Sequence, residues 1–225
     1  MNPSDTVLAT ICARIKVAAK QAGYGPVKLL AVSKTRPAAN LRQLADQGQQ
    51  HFGENYVQEA LSKQRELADT DLQWHFIGPL QSNKCRDVAQ HFDWLESLDR
   101  HKLIEPLSRL RPSSRGPLNV LIEVNIDAEP GKSGCAPEQI AVLAELITKA
   151  PMLRLRGLMA IPAHHEDPPL KQTAFRRMRK LFEQLREGYP PVDTLSMGMS
   201  DDFETAIAEG ATEVRIGTRL FGPRH

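Results

Sequence analysis

Lys28-Leu-Leu-Ala-Val-Ser-Lys34 is a short apolar run with Gly25-Pro26 before it and Pro37 after it. Four consecutive apolar residues, Leu29 to Val32, leave no face for water, so a strand built from them must be covered on both sides. Upstream, Leu8, Ile11, Cys12, Ile15 and Ala19 fall on one face of a helix that Ser4 or Asp5 can cap and that Gly23 and Gly25-Pro26 end. Downstream, Pro37 opens a second helical stretch, whose Leu41, Leu44 and Ala45 share a face before Gly48 closes it.

The same alternation continues along the chain. Apolar runs at Gln50–Gly53, Gln73–Ile77, Trp94–Ser97, Asn119–Asn125, Arg156–Ala160, Thr194–Met197 and Glu213–Ile216 read as strands, with helical patterns such as Pro137–Lys149 and Leu170–Glu187 between them. With Leu29–Val32 the strands number eight, and strand–helix alternation requires a parallel sheet. The predicted fold is α/β: a TIM (β/α)8 barrel forming one domain over residues 1–225, preceded by an N-terminal helix. An open doubly wound sheet is the competitor, but it usually carries a G-x-G-x-x-G turn after its first strand, and none is present. Only Gly217 to His225 follow the last strand, too few for a full closing helix, so the N-terminal helix is expected to cover that gap.

Composition narrows the function classes. Of 225 residues, 41% are hydrophobic and 25% charged, which disfavours disorder. Lys plus Arg (29) nearly balance Asp plus Glu (27), leaving +2 and arguing against a dedicated nucleic-acid or acidic-membrane binder. No apolar run approaches the roughly 18 residues of a membrane helix, and Met1 to Ala9 lack the pattern of a secretory signal. Cys12, Cys85 and Cys135 are widely spaced and contain no C-x-x-C pair, so a reducing, cytoplasmic location is expected.

In a (β/α)8 barrel, reactive groups sit where strands end and the following loops begin. Lys34 holds that place after the first strand, where a desolvated amine becomes a carbonyl nucleophile; taken alone, a solvated surface lysine is the commoner case. Leu195-Ser-Met-Gly-Met-Ser-Asp-Asp202 and Val214-Arg-Ile-Gly-Thr-Arg219 follow the seventh and eighth strands, the usual phosphate site of this architecture. Backbone N–H groups around Met199-Ser200 and Gly217-Thr218, with two hydroxyls, could hold phosphate oxygens, although Ser200 as a plain cap of a helix starting near Asp201 is an equal reading. An amine on one side and a phosphate cradle on the other suggest a phosphorylated aldehyde, with pyridoxal phosphate (PLP) the obvious candidate.

Ala31-Val-Ser-Lys-Thr-Arg-Pro37, His51-Phe-Gly-Glu-Asn-Tyr56, Trp74-His-Phe-Ile-Gly-Pro-Leu-Gln-Ser-Asn-Lys84, Leu195-Ser-Met-Gly-Met-Ser-Asp201 and Arg215-Ile-Gly-Thr218 resemble the YggS/PROSC family of PLP homeostasis proteins, related to the N-terminal barrel of alanine racemase. The resemblance runs from Lys28 to Arg224. It implies that Lys34 carries PLP as a covalent imine. Ser200, with the backbone of Met199, Gly217 and Thr218, would hold the phosphate; Arg215 would lie beside the pyridine nitrogen, and Asn55 would line the ring or its hydroxyl edge. A helix cap is the competing reading for Asn55, and a structural ion pair for Arg215.

An arginine at the ring nitrogen donates a hydrogen bond but does not give up a proton, so the ring stays a weak electron sink. Racemisation would still need a second acid–base group, which alanine racemase takes from an additional β-domain, and this chain ends at His225 without one. Reversible binding and buffering of PLP, with no catalytic residue, is therefore the expected function, and a racemase-type PLP enzyme is the alternative. The expected partners are PLP and, as recipients, PLP-dependent apoenzymes, with the protein a monomer or weak homodimer.

Other signals read as bland. Glu129-Pro-Gly-Lys-Ser-Gly134 lacks the first glycine of a Walker A loop, Ile126 standing in its place, though Lys132 lies on the loop face and could meet an anion. His164-His165 has no third ligand, so no metal is expected. The basic run from Arg176 to Lys180 fits the outer face of an amphipathic helix.

Overall fold

The computed structural model describes residues 6–163 and 168–223, the side chains of 168–171 excepted. Eight parallel strands close on themselves in chain order. They are β1 (Lys28–Val32), β2 (His51–Glu54), β3 (Gln73–Phe76), β4 (Trp94–Leu98), β5 (Leu118–Glu123), β6 (Leu153–Met159), β7 (Thr194–Ser196) and β8 (Glu213–Ile216). Closure is made by β1, which pairs with β2 through Ala31 and Phe52 and with β8 through Leu29 and Val214.

The helices are α1 (Val7–Ala22), α2 (Ala38–Ala45), α3 (Val57–Glu66), α4 (Cys85–His91), α5 (Ile104–Leu110), α6 (Ile140–Lys149), α7 (Pro168–Gly188), α8 (Phe203–Ala208) and α9 (Thr218–Phe221). Each lays an apolar stripe on the barrel, as α6 does with Ile140, Leu143, Ala144 and Ile147, the spacing of one helical face. The barrel is thus the predicted one, and α1 packs against α8 and α9 as expected.

Two helix starts differ from expectation. Thr6 caps α1, its hydroxyl accepting the Ala9 N–H at 3.2 Å, while Ser4 and Asp5 lie outside the described residues. Pro37 occupies the cap position of α2 rather than its first turn. His164 and His165 also lie outside the described residues.

The barrel interior is unusually polar. Hydrogen bonds join side chains on β3, β4, β7 and β8, and Glu96 on β4 meets Ser196 on β7, which are not neighbouring strands, so the contact crosses the inside of the barrel. Such interiors are normally filled by branched apolar side chains. Here Glu96, Ser196, His75, Glu213 and Arg215 are buried at its centre.

Candidate functional site

A cavity of about 240 Å³ opens at the C-terminal end of the strands. Lys34, Asn55, Met199, Ser200, Arg215, Gly217 and Thr218, the seven residues singled out from the sequence, all line it, together with Val32, Ile77, Ile161 and Asp201. Its size suits a single-ring ligand better than a dinucleotide. A depression of about 740 Å³ at the other end of the barrel, lined by Lys28, Gln49 and His51, is larger but lacks this combination of groups.

Lys34 is half-buried, two residues beyond the end of β1. The chain turns at Thr35, whose φ of 64° is uncommon for a β-branched residue and needs support. That support is Glu59, which accepts the Thr35 N–H at 2.5 Å. Behind the turn, Lys63 is only 4% exposed and donates to Ser33 O at 2.7 Å, Glu54 Oε1 at 2.7 Å and Glu59 Oε1 at 2.6 Å. Ser33 Oγ adds a bond to Glu54 Oε1 at 2.5 Å. Burial drives the Glu54 carboxyl above its ordinary pKa, while the Lys63 ammonium opposes that rise.

Asn55 does not cap α3, whose cap position is Tyr56 without a side-chain bond. Its Oδ1 is buried with no hydrogen-bond partner, an atom that a ligand donor could satisfy. The close approach that fixes Asn55 depends on Gly78, where a Cβ would fall 2.3 Å from the Asn55 carbonyl oxygen.

Across the cavity stand the β7–α8 and β8–α9 loops, where a phosphate cradle is expected. The Met199 N–H is not free: it donates to Asp202 Oδ1 at 2.6 Å. Asp202, not Ser200, stands at the cap position of α8, without a side-chain bond into the helix. Met199 therefore lines the cavity without offering its amide. On the other loop Gly217 is the cap of α9, so the Thr218 and Arg219 amides find no acceptor within the helix. Arg36 ties the two sides together: its guanidinium donates to the carbonyls of Gly222 and Pro223 and lies 5.9 Å from the Phe221 ring.

Arg215 is 4% exposed, donating through Nη1 to Ser196 Oγ and through Nη2 to Ala160 O, each at 2.7 Å. It is not a member of a direct ion pair among the described residues; Glu96, Glu213, Glu123 and Asp202 compensate its charge at longer range. Burial is the main pressure on its pKa and acts downward. Lys132 pairs with Glu129.

Sequence reasoning missed the Lys63 network and the polar chain below Arg215. The signal available was a charged residue inside an apolar strand, as in Trp94-Leu-Glu-Ser-Leu98.

The profile of the alanine racemase N-terminal domain family matches residues 7–225. A pyridoxal phosphate homeostasis protein of Pseudomonas aeruginosa is 56% identical over 219 residues, covering 96% of this chain and 94% of that one. The chain belongs to the pyridoxal phosphate homeostasis protein family. Another family member, from Escherichia coli K12, is 49% identical over 229 residues, 100% of this chain and 98% of that one. Among solved structures, PipY of Synechococcus elongatus is 39% identical, with TM-scores of 0.83 without PLP and 0.81 with PLP bound, spanning 94% of this chain and 100% of that one. Alanine racemase of Corynebacterium glutamicum, 18% identical with a TM-score of 0.68, covers 95% of this chain and 61% of that one and shares the fold.

Proposed function

We propose that this protein binds PLP in the rim cavity, holds it reversibly on Lys34, and buffers or delivers it in the cytoplasm without turning over a substrate. The observation that carries this reading is the convergence on one small cavity of an amine, an orphaned acceptor, a guanidinium and a helix-start turn. Each matches a part of PLP: Lys34 the aldehyde, Asn55 Oδ1 the ring hydroxyl, Arg215 the ring nitrogen, and Ser200, Gly217 and Thr218 the phosphate.

Lys34 Nζ would condense with the aldehyde carbon while the carbonyl oxygen leaves as water, so loading and release would be a reversible condensation. PLP supplies an electron sink when its ring nitrogen is protonated. Arg215 works against that, because it donates a hydrogen bond but is too weak an acid to hand its proton to the ring nitrogen. That choice of partner leaves the ring a weak electron sink, which favours holding over carbanion chemistry without excluding racemisation. The names of the relatives favour the same role. Unpaired cysteines at 12, 85 and 135 favour a reducing compartment, and among the described residues no helix is long and apolar enough to cross a membrane.

An absorbance spectrum of the purified protein with PLP tests this. The expected result is a visible imine band that Lys34→Ala abolishes while leaving the circular dichroism unchanged. A colourless wild-type protein under saturating PLP contradicts the reading, and sustained α-proton exchange with a panel of amino acids contradicts the non-catalytic part of it.

A further inference from the structure

A chain of short hydrogen bonds runs from the cavity floor down through the barrel. Arg215 Nη1 donates to Ser196 Oγ at 2.7 Å, and Ser196 Oγ donates to Glu96 Oε2 at 2.8 Å. The other carboxylate oxygen, Glu96 Oε1, lies 2.6 Å from His75 Nδ1, and His75 Nε2 lies 3.0 Å from His51 Nδ1. Glu96 accepts from Ser196, so His75 meets it best as an Nδ1–H donor; His75 Nε2 then accepts from His51 Nδ1–H. Donors thus converge on Glu96 from both ends. The His75 ring is further fixed by stacking on Trp94, 5.1 Å between centroids and 3° from coplanar.

Nothing in the barrel fold requires these groups, and burying them is unfavourable. Burial pushes both Glu96 and Glu213 upward in pKa and His75 down to about 4. The charges nonetheless balance: Lys28, 3.3 Å from Glu213, and Arg215 stand against the two glutamates. The chain also ends on the one charged side chain that lines the cavity from the barrel interior.

We propose that Glu96 is a positioning residue for the cavity: acting through the Ser196 hydroxyl, and anchored below by His75 and His51, it fixes the plane of the Arg215 guanidinium so that Arg215 donates to the ring nitrogen of bound PLP and keeps that nitrogen unprotonated. This rests on the reading that the cavity binds PLP. The Ser196 bridge and the Nη2 bond to Ala160 O together hold a buried arginine without a direct carboxylate partner in one orientation. Removing the bridge leaves only the Ala160 bond, so the guanidinium tilts about it and the ring nitrogen is left open to a proton from solvent.

The test uses PLP labelled with 15N in the ring, bound to the wild type, Ser196→Ala, Ser196→Thr and Glu96→Gln. Ser196→Ala is expected to move the ring 15N resonance toward the pyridinium position and to weaken PLP binding about tenfold. Glu96→Gln is expected to move both readouts the same way, and Ser196→Thr, which keeps the hydroxyl, to restore the wild-type resonance. Borohydride should still trap PLP on Lys34 in every folded variant. A wild-type resonance and affinity in Ser196→Ala overturns the proposal; should Glu96→Gln fail to fold, the two Ser196 variants decide it. Failure of the wild type to bind PLP would instead sink the reading of the cavity itself.

Discussion

Lys63 is a buried ammonium with three oxygen acceptors within 2.7 Å, and it stands directly behind the turn that presents Lys34. Replacing one partner of such a group leaves the others desolvated and unpaired, at about 3 kcal/mol or more. Lys63→Met should therefore lower the unfolding free energy by about 3 kcal/mol in urea titration and slow imine formation, because the Thr35 turn loses its brace. Glu123 offers a separate check through pH. Burial and neighbouring Asp99 push its carboxyl from 4.5 up to about 7, so the folded protein holds a proton that the unfolded chain has already released. Stability from this group is fully present below pH 4.5 and is lost as pH rises toward 7. Glu123→Gln should gain on the wild type by about 2 kcal/mol between pH 5 and pH 8, and equal stability differences at the two pH values would contradict that. Neither Lys63 nor Glu123 was singled out from sequence, because their importance comes from burial and from partners that the fold supplies.

At the scale of elements, the cavity depends on loops that follow β1, β2, β7 and β8 being held at fixed separations. Their local chemistry was readable: the apolar run ending at Lys34 and the glycine-containing turns near 198 and 217 all lie where barrel topology places reactive loops. What was not readable was the hydrogen bonding inside the turns. The Asp202 carboxylate turns back to accept the Met199 N–H, which takes that amide out of play. Gly198 is required here for two reasons: its φ is 91°, and a Cβ would sit 2.5 Å from that of Ala206. Gly198→Ala should weaken PLP binding at least tenfold, measured by absorbance titration, by displacing the β7–α8 loop. Arg36→Ala should release the α9 turn and raise the PLP off-rate, while the imine still forms on Lys34; an unchanged off-rate would show that the clamp to Gly222 and Pro223 is dispensable.

For the whole molecule, closure depends on the first helix as much as on the last strand. Leu8, Ile11, Ile15 and Ala19 of α1 are buried, and Arg14 adds a bidentate bond to Glu204 at 2.9 Å on α8. Ile15→Ala should cost about 3 kcal/mol of stability by leaving a cavity, read as a lower urea midpoint with an unchanged slope. The barrel and this covering role were legible because they rest on periodic apolar burial, which each segment carries by itself. The polar interior was not, since Glu96 and Ser196 are a hundred residues apart and meet only once the barrel has closed. The central claim is that one rim amine condenses with PLP, and borohydride reduction of the PLP-loaded protein followed by peptide mapping tests it most directly. The expected result is a single pyridoxyl label on Lys34; label on another lysine, or none at saturating PLP, would contradict it.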